Sequence, residues 1–338
     1  MKKSAFFLLI LFLLTSCSKT FLGDVPSNNP ESVFENFCQQ INENYSGKDV
    51  RLVNWDSLQK VYHPKITTQT TELQLIEVFK AMILPYGDQH LNLKVRGNFI
   101  SPSLLLTVLD YVDAKAVEKS LNTTLKAYKK LFNYGKTTDN IGYVRINTFG
   151  NDFFSSADYA FFDNILDELK DTKSLIIDVR TNSGGQENFA KMIAQRFATT
   201  EQVYKYTRTK IGISKDDYTD FAGSTLQPMG AFSYTKPVAL LTGRFTYSTA
   251  NNFVMMMRIQ PNVTTYGNLT GDGVVGSLTR ELPNGWLLQF PSGLAFLPDK
   301  TVIEGSGGIK PKKFVTISSD DRLAGRDAIL EKALTDLR

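Results

Sequence analysis

The stretch "KPVALLTGRFTYSTANNFVMMMR", residues 236–258, decides how the chain is read. "KPVALLTG" is a short apolar run between turn residues and predicts a buried strand, whereas "TANNFVMMMR" reads as a helix. Ser248 stands between them. Serine is a favoured helix N-cap, so Ser248 is either the cap of that helix or a nucleophile presented by it, and the second reading requires a base. The same alternation runs through the preceding hundred or so residues. "NIGYVRINTF" and "KSLIIDVRTN" predict strands, while "SADYAFFDNILDELKD" and "GGQENFAKMIAQRFA" predict helices. Strands and helices in turn argue for an α/β core built from repeated crossover units. Towards the end, "RELPNGWLLQFPSGLAFLPDKTVI" predicts a hairpin with its turn at Asn284-Gly285.

The 338 residues are 42% hydrophobic and 21% charged, the composition of a folded chain of one large domain or two smaller ones. Lys2 and Lys3 precede "AFFLLILFLL", an apolar run of 10 residues, too short to span a bilayer but the right length for a signal-peptide core. Leu14-Thr15-Ser16-Cys17 follows and resembles the bacterial lipoprotein box, which makes Cys17 the expected lipidation site. Ser18 after it suggests sorting to the outer membrane. Without Lys2 and Lys3 the 38 basic residues fall to 36 against 34 acidic ones, too near neutral for a nucleic-acid partner. Residues 1–16 are thus the expected signal peptide, 17–30 a lipidated tether, 31–96 a small helical unit, 97–131 a connecting segment with the helix-like run "DAKAVEKSLNTTLKAYKKLF" from Asp113, and 132–338 the core. Cys38 then has no intramolecular partner and reads as a buried thiol, and with only two histidines a zinc site is not expected.

Three places are candidates for chemistry. Gly184 and Gly185 join a strand to a helix, where a backbone without Cβ approaches a ligand closely and free N–H groups receive negative charge. A turn that merely needs glycine reads equally well. Ser248 is the second. The third is "PYGDQHLNL", where His90 follows a Gly-Asp turn; His63, in "KVYHPKI", reads as incidental. No lysine lies between Arg258 and Lys300, which disfavours a lysine base shortly downstream of the serine. Gly271 to Gly276 has dinucleotide-binding glycine spacing, but the helix that motif requires is missing.

Taken in order, "IGYVRINTF", "LIIDVRTNSGG", "PVALLTGRFTYSTANNF", "TTYGNLTGDGVVG", "ELPNGWLLQFPSG" and "IEGSGGIKP" resemble the catalytic core of the tail-specific, or C-terminal-processing, serine peptidases. The likeness is to the His-dependent branch similar to the tricorn core, and "NWDSLQKVYHPKI" and "YGDQH" resemble that branch's N-terminal unit. The resemblance implies a crotonase/Clp-protease-like ββα spiral with no PDZ module. It makes Ser248 the nucleophile and His90 the general base. Glu304 would orient the histidine, and the backbone N–H groups of Thr249 and of Gly184 or Gly185 would form the oxyanion hole. No metal or organic cofactor is implied. Expected partners are a peptide or unfolded protein substrate and the membrane, through the lipid. Three positions depart from the pattern: Asn251 where a glutamate is usual, Leu91 where threonine is common, and Gly271-Asp272-Gly273 where the lysine-dependent peptidases carry Gly-Lys-Gly. The first two motivate an alternative, a peptidase-fold lipoprotein that binds peptide or glycan without cleaving it. An esterase would share the same serine.

Overall fold

The computed structural model describes residues 27–102, 112–150, 155–231 and 233–338. The expected signal peptide, Cys17 and most of the tether lie outside them. Helix α1 (Pro30–Asn44) starts with Pro in its first turn, and the Asn29 side chain accepts the Ser32 N–H at 2.8 Å. Both features suit a helix start, because the first N–H groups have no intrahelical acceptor. Helix α2 (Trp55–Tyr62) follows, then α3 (Glu72–Ile83), whose N-terminus is closed by a reciprocal Thr71/Gln74 capping box. The three bury one aromatic cluster, in which Phe79 stacks on Phe37 at 4.1 Å between ring centroids.

After α3 the chain turns at left-handed Gly87 (φ 61°) and enters a hairpin, β1 (Asn92–Val95) and β2 (Asn98–Ile100). The helix-like run after it forms only α4 (Ala114–Leu121). Asn122 takes the left-handed conformation at φ 50° and stops the helix, and the β-branched Thr123 and Thr124 after it favour extended backbone. The rest of that run becomes β3 (Lys126–Tyr128), antiparallel to β4 (Phe132–Lys136).

The α/β core then runs β5 (Ile141–Ile146), α5 (Ser156–Leu169), β6 (Ser174–Asp178), α6 (Glu187–Ala194), β7 (Gln202–Thr209), β8 (Ala222–Leu226), β9 (Val238–Thr242), α7 (Thr249–Arg258) and β10 (Val263–Gly267). It closes with β11 (Ser277–Glu281), β12 (Leu287–Pro291), β13 (Gly293–Phe296), β14 (Lys313–Phe314) and α8 (Ala328–Leu337). Seven strands form one sheet in the order β14-β10-β9-β6-β5-β4-β3, parallel from β14 to β5. Every residue of β6 and of β9 is buried, as strands covered on both faces must be. Helices α5, α6 and α7 contribute to the cluster on one face, α4 and α8 to that on the other. Buried Arg180, just past β6, pairs with Asp178 and through both terminal nitrogens with Asp327, which also caps α8. A short sheet β13-β7-β8 lies apart.

The expected hairpin forms at Asn284-Gly285, with Gly285 at φ 82° and the Leu282 N–H donating to Trp286 O at 2.8 Å. Its destination is not the core sheet. Strand β12 pairs antiparallel with β1, giving a four-stranded sheet β11-β12-β1-β2. Leu282, Trp286, Leu288 and Phe290 complete the aromatic cluster of α1–α3. The N-terminal unit is therefore helical only in part, and a late segment of the chain finishes its core.

Truncating fully buried Phe79 to alanine removes the ring stacked on Phe37 and set edge-on to Trp286. The expected loss of stability is about 3–5 kcal/mol, measured by urea unfolding.

Candidate active site

Ser248 occupies the N-cap position of α7, but its side chain makes no capping hydrogen bond. Its backbone lies at φ 56°, ψ −124°, a conformation that costs a non-glycine residue about 1–3 kcal/mol and persists only where the surroundings enforce it. The surroundings here are explicit. The Ser248 N–H donates to Gly273 O at 3.0 Å and the Tyr247 N–H to Asn182 O at 3.2 Å. Thr249 Oγ1 donates to Gly185 O at 2.6 Å, and Asn251 Nδ2 donates to both Gly271 O and Gly273 O at 2.8 Å. Held this way, Ser248 Oγ lies 3.2 Å from His90 Nε2.

His90 reaches that point from the other unit, two residues before β1. Asp88 accepts the His90 N–H at 2.9 Å and the Tyr45 hydroxyl at 3.0 Å, and the Tyr247 ring packs 4.8 Å from the imidazole. Ser277, at the start of β11, donates to His90 O at 3.1 Å. Burial holds the imidazole below its ordinary 6.5; Asp88 pulls it up and Arg51 pushes it down again. A neutral imidazole at hydrogen-bond distance from a serine hydroxyl is placed to take its proton.

Gly184 packs against Ser248: a Cβ there would fall 2.9 Å from both Ser248 Cβ and Thr249 N. Its own N–H donates to Asn182 Oδ1 at 2.9 Å. Among the described residues the N–H groups of Gly185 and Thr249 have no acceptor, so these two are free to meet a developing oxyanion.

These features have counterparts in known proteins. Residues 140–313, 174 of the 338, match peptidase family S41. The chain belongs to that family. Residues 26–83 match the tricorn protease C1 domain. A candidate peptidase from Parabacteroides merdae is similar at 29% identity and TM-score 0.83, with 92% of this chain and 97% of that one covered. Mature CPAF, solved with lactacystin, aligns at 11% identity and TM-score 0.67 over 91% of this chain and 97% of its own. The photosystem II D1 C-terminal processing protease aligns at 13% identity and TM-score 0.55 over 85% and 93%. At those identities the last two speak for the fold, a mixed α/β arrangement shared by S41 peptidases. Among the described residues no separate PDZ module interrupts it.

Within this S41 site, Ser248, His90, Thr249, Gly184 and Gly185 converge. Glu304 stands differently. Its carboxylate accepts the N–H of Ala295 at 2.6 Å and of Val275 at 3.2 Å, and among the described residues it makes no hydrogen bond to His90. His90 Nδ1 is buried with no hydrogen-bond partner there. Burial pushes Glu304 up to about 7 despite the backbone N–H groups that donate to it. Leu91 is buried in the aromatic cluster of the N-terminal unit, and Asn251 ties down the loop under Ser248, so neither departure obstructs the pair. Three participants escape the motif reading: Asn182, whose side chain spans Ile146 O and the Gly184 N–H, Tyr247 against the imidazole, and Arg51 between Asp88 and Asp272. Asp88, a fourth, did carry a signal by its place in Gly-Asp-x-His.

Gly184→Ala forces a side chain onto φ 104° and against the Ser248 turn; kcat is expected to fall about 10²–10³-fold in steady-state assays. Glu304 predicts a pH effect on stability. Its folded value of about 7 exceeds the ordinary 4.5, so the folded state holds the proton more tightly. The resulting stabilisation is complete below the ordinary value and disappears as pH rises through about 7. Urea midpoints at acid and alkaline ends of that window should differ in this sense for wild type, and Glu304→Gln should remove that component.

Proposed function

We propose that this S41 chain is a lipid-anchored serine endopeptidase of the cell envelope. The observation that carries the reading is the 3.2 Å approach of His90 Nε2 to Ser248 Oγ, between residues from two separate units. His90 takes the hydroxyl proton as Ser248 Oγ attacks a peptide carbonyl, and the negative oxygen is received by the Gly185 N–H before α6 and the Thr249 N–H at the start of α7. The imidazolium returns the proton to the leaving amine, and water then releases the acyl group from Ser248 by the same route in reverse. Glu304 supports the site by fixing Val275 and Ala295, beyond the Gly273 carbonyl on which the serine turn hangs.

Attachment through Cys17, with sorting to the outer membrane, is part of the same proposal. Lys2, Lys3, the apolar run and Leu14-Thr15-Ser16-Cys17 support it. Among the described residues no helix is long and apolar enough to cross a membrane. Acyl chains on Cys17 would insert into the bilayer. Its substrates are peptides or unfolded chains, and processing near a C-terminus follows the similarity to the D1 processing protease.

The soluble form beginning after Cys17 should cleave an unfolded protein and a mixed peptide library. Ser248→Ala and His90→Ala should each lower the rate by about 10³-fold or more. Cleavage that survives Ser248→Ala would refute the site, and a strong preference for short esters over every peptide would refute the substrate class.

A further inference from the structure

Arg51 lies in neither catalytic loop, yet both lead to it. Its Nε is 3.5 Å from Asp88 Oδ2, and its Nη1 is 3.1 Å from Asp272 Oδ2 and donates to Tyr86 O at 3.2 Å. The Asp88 contact is an ion pair by distance without hydrogen-bond geometry. Asp88 receives the His90 N–H, and Asp272 sits between Gly271 and Gly273, whose carbonyls hold Asn251 Nδ2 and, at Gly273, the Ser248 N–H. Asp272 also accepts the Gly305 N–H at 3.0 Å, next to Glu304. The side chains of Arg51 and Asp88 are buried, and that of Asp272 is only 13% exposed, so these charges act on one another with little screening.

The segment that bears Arg51 is itself fastened to the core. The Ser46 N–H donates to Pro291 O and its hydroxyl to Gly293 O, while buried Lys210 pairs with Asp49 at 2.6 Å. Arg51 thus has a fixed base from which to reach both loops. We propose that Arg51 is a positioning residue for peptide hydrolysis, its guanidinium clamping the His90 loop through Asp88 to the Ser248 turn through Asp272. This rests on the serine-peptidase reading given above. It also accounts for Gly271-Asp272-Gly273: where lysine-dependent peptidases carry a cation, this chain carries the anion that Arg51 needs.

The charged and titratable groups around His90 are Asp88 on its own loop, Tyr45 bonded to Asp88, Arg51, and Tyr247 with the Asp272 and Glu304 carboxylates that act on it. Removing Arg51 leaves Asp88 unopposed, which raises the imidazole's affinity for its proton.

The test compares wild type with Arg51→Met, Arg51→Lys and Asp272→Asn. Three readouts are followed: peptide kcat and KM, thermal unfolding, and imidazole titration by NMR, in which His63→Gln assigns the two histidines. Arg51→Met is expected to lower kcat about 10–10²-fold with KM within about threefold, and to move the His90 titration to higher pH. Arg51→Lys should restore the titration but only part of kcat, because one ammonium does not span two carboxylates as a guanidinium fork does. Arg51→Met and Asp272→Asn should combine with less than additive loss. An unchanged kcat overturns the proposal, as does a loss that follows thermal stability alone with the titration unmoved. If Arg51→Met fails to fold, Arg51→Lys and Asp272→Asn decide the same question. Wild type that cleaves nothing would refute the peptidase reading, and the clamp would then stand or fall on the His90 titration.

Discussion

The pairing of β1 with β12 is the constraint on which the rest depends. His90 and Ser248 are 158 residues apart, and each belongs to a different hydrophobic cluster's neighbourhood. A hydrogen-bond-length approach between groups so placed requires the two units to be registered to a fraction of an ångström. Strand pairing supplies that, because a slip of one residue would turn every side chain of β1 to the opposite face. Asn92, Leu93 and Lys94 face Gln289, Leu288 and Leu287, and His90 lies just before the first of these rungs. Buried Leu93, Leu288 and Phe290 fix which face is inward.

On the other side of the junction the serine turn is a strained element enforced by its neighbours. Strand β9 ends, the chain reverses through Gly243 to Tyr247, and α7 begins, with Thr246 Oγ1 donating to Val179 O at 2.9 Å inside the turn. The carbonyls that accept from Tyr247 N–H, Ser248 N–H and Thr249 Oγ1 lie in the loops after β6 and after β10, at the C-terminal ends of the two parallel strands that flank β9. This is where open parallel sheets concentrate function. Ser248 has the position of a cap but makes no capping hydrogen bond, and the nucleophile role proposed above accounts for its strained backbone.

Much of this was legible in the sequence because it is local. Buried parallel strands read as continuous apolar runs, so "LIID" and "VALLT" announced themselves, and Asn284-Gly285 fixed a hairpin by turn chemistry alone. The resemblance singled out Ser248 and His90. What stayed hidden is non-local. Nothing in "ELPNGWLLQFP" states that its strand lies against residues 92–94, and three-residue strands such as β2 and β3 are too short to show a period. The run from Asp113 read as one helix because its polar and apolar positions fit that period, while the break depends on one left-handed Asn122 and on an edge strand waiting to be paired. Arg51 was invisible for the same reason: a lone arginine acquires meaning only from two carboxylates brought to it by folding. The resemblance placed Glu304 beside the base, whereas its partners are the backbone of Val275 and Ala295.

The lateness of β12 has a consequence for the order in which the molecule comes into being. On the ribosome, residues 30–95 emerge long before residues 287–291 do. Until then β1 lacks its neighbour, the aromatic cluster lacks Trp286 and Phe290, and the imidazole has no fixed relation to the serine. Contacts of such long sequence separation are the last to be closed. The proposed Ser248–His90 site therefore takes shape only once residues 287–291 are made, and fragments released before that point carry both side chains without the strand pairing that joins them.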